Sequence, residues 1–281
     1  MGNTRNGSGA IVGGGNSAAS PSTMAGAQTT SSNVGETDAD APATRDGTSN
    51  RNRTHIHSHP PIPLKTLPGR APPNPTVEYL IQSSLPPAML PVPRPLLVVL
   101  DLNGTLLYRS RRRSPRSFVP RPHAHAFLRH CATACRLVIW SSARPQNVTA
   151  ICAALLDPDT HASLIAIWAR DRLGLTPAEY ATRTQCYKRL SMLWDDPDIA
   201  AAHPDAANGA KWDQSNTVLV DDSLEKARAQ PHNLVQIPKF DGQPNDDVLP
   251  QVQSLLDILA SQADVSRYLR RNPFMLAPRP G

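Results

Sequence analysis

Four short, almost wholly apolar runs constrain this chain more than any other feature: LLVVL at 96–100, RLVIW at 136–140, LIAIW at 164–168 and TVLV at 217–220. A strand with one wet face alternates apolar and polar residues. A run with no alternation, four or five residues long, reads instead as a strand buried on both faces, the signature of a parallel sheet. A fifth such run follows at 234–237. The intervening segments carry helical spacing over 123–134, 145–156 (with Pro145 in its first turn), 185–194, 223–229 and 246–260. Strands alternating with helices specify an α/β fold with right-handed crossovers and a parallel central sheet. Such sheets bind ligands off the carboxyl ends of their strands.

The rest of the 281 residues divides by composition. Residues 1–75 are dominated by Gly, Ser, Thr, Asn, Ala and Pro and hold too little apolar surface to offset the entropy of ordering them, so a disordered low-complexity tail is expected. Residues 76–95 read as a proline-rich linker with one short apolar element near Val77–Ile81, 96–265 as the α/β domain, and 266–281 as a C-terminal tail. His55, His57 and His59 alternate within the polar tract and read as part of it. No run of eighteen apolar residues is present, so no membrane span is expected. The four cysteines form no C-x-x-C pair, and no secretory apolar region opens the chain. Both point to reduced thiols in an intracellular protein. The nucleus or cytoplasm is favoured and the mitochondrion is the alternative, since Arg5 is the only base in the first 35 residues.

Chemistry-bearing residues gather where the topology predicts a site. The first strand ends in Asp101-Leu102-Asn103-Gly104-Thr105, the second in Ser141-Ser142, and the fourth in Asp221-Asp222-Ser223. Lys188 precedes the fourth strand on a segment read as helix. Singly, each has a plainer explanation as a turn, a cap or a solvated charge. Jointly they place a nucleophilic carboxylate, hydroxyl groups, an ammonium and an acidic pair on one sheet edge, which suits phosphoryl transfer. A carboxylate and a phosphate repel one another. A divalent cation on hard oxygen ligands removes that obstacle, and lysine and hydroxyl donors then hold the phosphoryl oxygens.

These segments, LLVVLDLNGTLL, LVIWSSA, YKRL and VLVDDSLEKA, resemble the four motifs of the haloacid dehalogenase superfamily. Within it they are similar to the branch of RNA polymerase II C-terminal-domain phosphatases and their NLI-interacting-factor-like relatives, whose Arg-Pro element is matched by Arg121 and Pro122. The resemblance implies a Rossmann-like three-layer sandwich and a Mg2+-dependent phosphoprotein Ser/Thr phosphatase working through an aspartyl-phosphate. Asp101 would be the nucleophile and a metal ligand, with Asn103 offering its backbone carbonyl to the metal and Asp221 and Asp222 completing the metal set. Lys188 would pair with nucleophile and phosphate, Thr105 would support the loop, and Ser141, Ser142 and Arg170 would face phosphate or substrate. One position departs from the pattern. The superfamily's first motif is D-x-D-x-T, and its second Asp, the general acid, is here Asn103. An amide delivers no proton, and general acid catalysis typically contributes about 10²–10⁴-fold.

Six arginines between 109 and 121, Arg111, Arg112 and Arg113 among them, follow the first motif. They stand open to three readings: capture of phosphorylated or acidic polypeptide, a nuclear localisation signal, or a solvated loop. Nucleic acid is disfavoured, because aromatics make up 5% of the chain and none interleave with these arginines. Two other functions share the fold. One is a non-catalytic binding module like the receptor subunit of the mitochondrial import translocase. The other is a soluble pseudophosphatase scaffold.

Overall fold

The structure is a computed structural model; residues 71–109, 114 and 117–277 are described. The low-complexity stretch expected as a disordered tail lies outside the described residues up to position 70, as do Arg111, Arg112 and Arg113.

The chain elements run α1 (Val77–Ser84), β1 (Leu97–Leu100), β2 (Leu107–Tyr108), β3 (Val119–Pro120), α2 (Ala124–Ala134), β4 (Arg136–Trp140), α3 (Pro145–Leu155), α4 (Pro158–Ala162), β5 (Leu164–Trp168), α5 (Pro177–Ala181), α6 (Ser191–Trp194), α7 (Pro197–Ala201), β6 (Thr217–Asp221), β7 (Leu234–Gln236), α8 (Val248–Ala260) and α9 (Val265–Arg271). The apolar runs are the sheet: five parallel strands in the order β5-β4-β1-β6-β7. Leu97–Leu100 of β1 pair in register with Arg136–Ile139 of β4 on one side and Thr217–Val220 of β6 on the other. The period-2 geometry of a strand sends neighbours to opposite faces. Val98 and Leu100 join a core with Phe127, Ile151, Val252 and Leu256, while Leu97 and Val99 join a second core with Leu193, Ile199 and Trp212. Helices on both faces of one parallel sheet make the expected three-layer sandwich. The chain builds β1, β4 and β5 outward in one direction, then returns to lay β6 and β7 on the other side of β1, so the strand order reverses at β1. A crevice opens at such a reversal.

Four expectations need correction. Residues 185–190 are not helical; only Ser191–Trp194 form a turn of helix. The amide of Lys188 donates to the Lys226 carbonyl at 2.7 Å and that of Leu190 to the Gln230 side chain at 2.9 Å, so these donors are committed across the fold rather than along a helix. The expected helix after β6 is a 3₁₀ turn, Leu224–Ala227. The short apolar element expected near Val77–Ile81 within the linker is the helix α1, capped by the Thr76 hydroxyl and packed on the domain rather than left in an extended segment. The supposed C-terminal tail contains most of α9, capped by Asp264. These two helices dock on each other: Tyr79 is buried, and its hydroxyl donates to Asn233 Oδ1 at 3.0 Å and accepts from the His232 amide at 2.8 Å. Gln82 donates to Asp264 at 2.8 Å, and Arg267 and Arg270 donate to carbonyls of α1. The antiparallel pair β2–β3, which the sequence pattern did not signal, follows the first motif.

Candidate active site

Asp101 is the residue after β1, Ser141 the residue after β4, and Asp221 the last residue of β6. Because these strands are adjacent and in register, their ends deliver the three side chains to one place. Asp101, Ser141, Lys188 and Asp221 are each at most 1% exposed, so the charges face one another rather than water.

Lys188 bridges the two carboxylates: its Nζ lies 2.8 Å from Asp101 Oδ1 and 2.6 Å from Asp221 Oδ2. Charge-assisted bonds of this length fix the orientation of the Asp101 carboxylate. Lys188 reaches them from an irregular segment that is itself pinned. Arg170 donates to the carbonyls of Glu179, Tyr180 and Thr182, and to the Cys186 sulfur at 3.2 Å, two residues before Lys188. The guanidinium expected to face substrate is therefore committed to holding this segment, and its hydrogen bonds go to none of the site carboxylates.

The loop after β1 folds back tightly, with the amides of Thr105, Leu106 and Leu107 all donating to the Leu102 carbonyl. Gly104 sits at φ +88°, and a Cβ there would fall 2.7 Å from Asp222 Oδ2. Glycine is thus required both for the turn and for the close approach to Asp222. Asn103 is half-buried two residues beyond Asp101, and Ser142 is half-buried beside Ser141. The Thr105 hydroxyl is buried without a hydrogen-bond partner, and the Ser141 hydroxyl accepts from the Ala143 amide at 3.3 Å.

Arg121 locks this loop. It is 1% exposed, forms a two-pronged pair with Asp246 (Nε and Nη2, both 2.9 Å), and donates to the carbonyls of Thr105 at 3.0 Å and Pro238 at 2.9 Å. The sequence grouped Arg121 with the arginines that begin at Arg109, but its guanidinium is committed to this loop. Its Arg-Pro context marked it, but nothing local announces Asp246 as its partner.

The carboxylates of Asp101, Asp221 and Asp222 offer oxygens within 4.8 Å of one another, the one such acidic group among the described residues. The donor set is all hard oxygen, which suits Mg2+. Asp101 Oδ2 is buried and accepts no hydrogen bond, which leaves a lone pair available to an ion. The residues therefore fit the metal. One further side chain reaches them. Lys226, which the sequence reading missed, places its Nζ 2.9 Å from Asp221 Oδ1, 3.2 Å from Asp101 Oδ2 and 3.4 Å from Asp222 Oδ1. Burial alone would lower its pKa, but the charges of Asp101, Asp221 and Asp222 outweigh that and hold it above the ordinary lysine value. The signal in the sequence was its place four residues after Asp222, within reach on a tight turn.

The four cysteines are free and buried, and none belongs to the acidic group. Burial pushes the Cys135 and Cys152 thiols up to about 12, so they are packing groups rather than nucleophiles.

Residues 96–266 match the family model described as NLI interacting factor-like phosphatase. The chain belongs to this family. An uncharacterised FCP1 homology domain-containing protein of Schizosaccharomyces pombe is 32% identical over 217 residues, covering 73% of this chain and 86% of that protein. Among solved structures, the essential RNA polymerase II CTD phosphatase Fcp1 aligns at 17% identity with a TM-score of 0.36, covering 70% of this chain and 54% of that one. The fission yeast Fcp1 bound to beryllium fluoride aligns at 13% and 0.33, covering 70% and 56%. A haloacid-dehalogenase-superfamily hydrolase from Ehrlichia chaffeensis aligns at 10% and 0.35, covering 60% and 98%. The chain thus spans little more than half of the Fcp1 structures. The NLI-interacting-factor-like domain comprises the sheet, the helices α2 to α8 and the acidic cluster. Among the described residues no helix is long and apolar enough to cross a membrane.

Proposed function

We propose that this domain is a Mg2+-dependent phosphoprotein phosphatase that transfers the phosphoryl group to Asp101, slowed by the amide at Asn103. One observation carries the reading. The buried Asp101 carboxylate has one oxygen bound by Lys188 at 2.8 Å and lies in one cluster with the carboxylates of Asp221 and Asp222. An oxygen of the Asp101 carboxylate is the nucleophile: it attacks phosphorus, the bond to the serine or threonine oxygen breaks, the aspartyl-phosphate forms, and water then cleaves it to phosphate and free Asp101. Lys188 holds the carboxylate in place and faces the incoming phosphoryl group, with the buried hydroxyls of Ser141 and Thr105 as further donors. Asp101, Asp221 and Asp222, with the Asn103 carbonyl, would hold Mg2+, which supplies charge neutralisation for the phosphoryl oxygens. The departing alkoxide needs a proton, and the Asn103 amide supplies none. The substrate class is phosphorylated or acidic polypeptide, drawn by the basic segment around Arg109.

Leaving-group dependence tests this. Phenolates leave without protonation and alkoxides do not. Wild-type protein should hydrolyse aryl phosphates measurably and phosphoserine peptides poorly. Asn103→Asp should raise peptide turnover by about 10²-fold or more while the aryl substrate gains little. Asp101→Asn should abolish both. If Asn103→Asp gains nothing on either substrate, the second reading, a phosphopeptide-binding scaffold favoured by the missing acid, replaces the first.

A further inference from the structure

Lys226 reaches the acidic cluster from the 3₁₀ turn after β6. That turn is rigidly set: the Ser223 hydroxyl caps the Lys226 amide, the Lys226 carbonyl accepts from Lys188 at 2.7 Å, and Ala227 is 1% exposed. Its neighbours Glu225 and Arg228 pair with each other at 3.2 Å on the outer side, so the turn directs Lys226 inward.

The two lysines divide the carboxylates between them. Lys188 takes Asp101 Oδ1 and Asp221 Oδ2, while Lys226 takes Asp101 Oδ2, Asp221 Oδ1 and Asp222 Oδ1. One oxygen from each member of the metal-ligating trio therefore converges on a single ammonium nitrogen. Magnesium requires its oxygens at about 2.0–2.1 Å, so an ion and an ammonium cannot share that triangle. The two lysines differ in how they can leave. The Lys188 side chain is 0% exposed and that of Lys226 is 15% exposed. Lys226 thus has an open side toward solvent, and its contact with Asp101 Oδ2 at 3.2 Å makes no directed hydrogen bond.

We propose that Lys226 is a tethered cation that competes with the divalent ion for Asp101, Asp221 and Asp222, and so sets how tightly this chain holds metal. The inference rests on the metal reading above. With both lysines in place, three carboxylates face two ammonium groups and one negative charge remains; without Lys226, two remain. Binding an ion requires Lys226 to withdraw, which raises the metal concentration needed. The domain becomes responsive to free magnesium rather than permanently loaded.

Calorimetric titration of Mg2+ into the full-length wild-type chain and into Lys226→Met and Lys226→Gln tests this. Both variants should bind about tenfold or more tightly, the scale of one close charge pair near the surface. A second measurement uses the wild-type protein alone: reductive methylation read by mass spectrometry. Lys226 should react slowly without metal and quickly at saturating Mg2+, while Lys188 stays protected in both. Equal affinities in wild type and variants would overturn the proposal and leave the metal site standing. So would unchanged Lys226 protection at saturation, which decides the matter even if the variants fail to fold. Absence of Mg2+ binding in wild type and variants alike would overturn both the competition and the metal reading.

Discussion

Arg121→Met should be among the most damaging single substitutions in this domain, although Arg121 touches none of Asp101, Asp221 and Asp222. The substitution keeps most of the aliphatic volume and removes the guanidinium. It leaves the Asp246 carboxylate, 14% exposed, without its two-pronged partner, and it frees the carbonyls of Thr105 and Pro238. Breaking a buried ion pair from one side costs about 3–5 kcal/mol. The two orphaned carbonyls would add about 1–3 kcal/mol each if they stayed dry, but relaxation and water entry make these terms overlap. An overall loss of about 4 kcal/mol follows, which for a domain of this size lowers Tm by about 8–16 °C. Replacing both partners, as Arg121→Met with Asp246→Leu, should recover part of the loss because no charge is then stranded. Denaturant unfolding of the two single variants and the double variant gives the coupling energy directly. Arg121→Met within about 1 kcal/mol of wild type, or a double variant worse than the sum of the singles, would refute the idea that this clamp holds the loop after β1.

Two other measurements probe regions remote from the site. Deleting residues 1–70 should leave the unfolding midpoint unchanged, whereas Tyr79→Ala in α1 should cost about 3–5 kcal/mol by chemical denaturation, since it removes a buried aromatic and strands Asn233 Oδ1 and the His232 amide. Stability should also fall on acidification. Burial, then the nearby Arg270 charge, hold the His232 imidazole below its ordinary value. Its contribution is full above the ordinary histidine pKa of about 6.5, and it is lost as the pH falls from there through the lowered folded-state value. Thermal scans from about pH 7.5 to about 5.5 should show a shallower decline for His232→Gln than for wild type.

What the sequence disclosed follows from where information about a residue resides. The strands were legible because burial on both faces leaves no polar residue within LVVL or LVIW, and Asp101, Ser141 and Asp221 were legible because a parallel sheet in register aligns its strand ends. The path to Lys188 was misread, since helical spacing over 185–194 carries no sign that the Lys188 amide bonds the Lys226 carbonyl. Prolines at 86, 87, 91, 93 and 95 made the segment after α1 look like a linker, and the partner that orders α1 lies on α9, at the other end of the domain. Lys226 and the buried partner of Arg121 were hidden for a related reason. Charged residues in polar stretches look solvated until a distant carboxylate is known to face them.

The position of β1 has a consequence for synthesis. Its first edge pairs with Arg136–Trp140, yet its second edge is closed only by Thr217–Asp221, which is made about 80 residues later in the chain. In the interval the nascent chain presents Leu97, Val98, Val99 and Leu100 along an open apolar strand edge, a template for pairing with other chains. Asp101 and Lys188 are by then already made, but Asp221, Lys226 and the Asp246 partner of Arg121 are not. The segment that brings Asp221 and Lys226 to the acidic cluster is thus the same one that covers the open edge of β1.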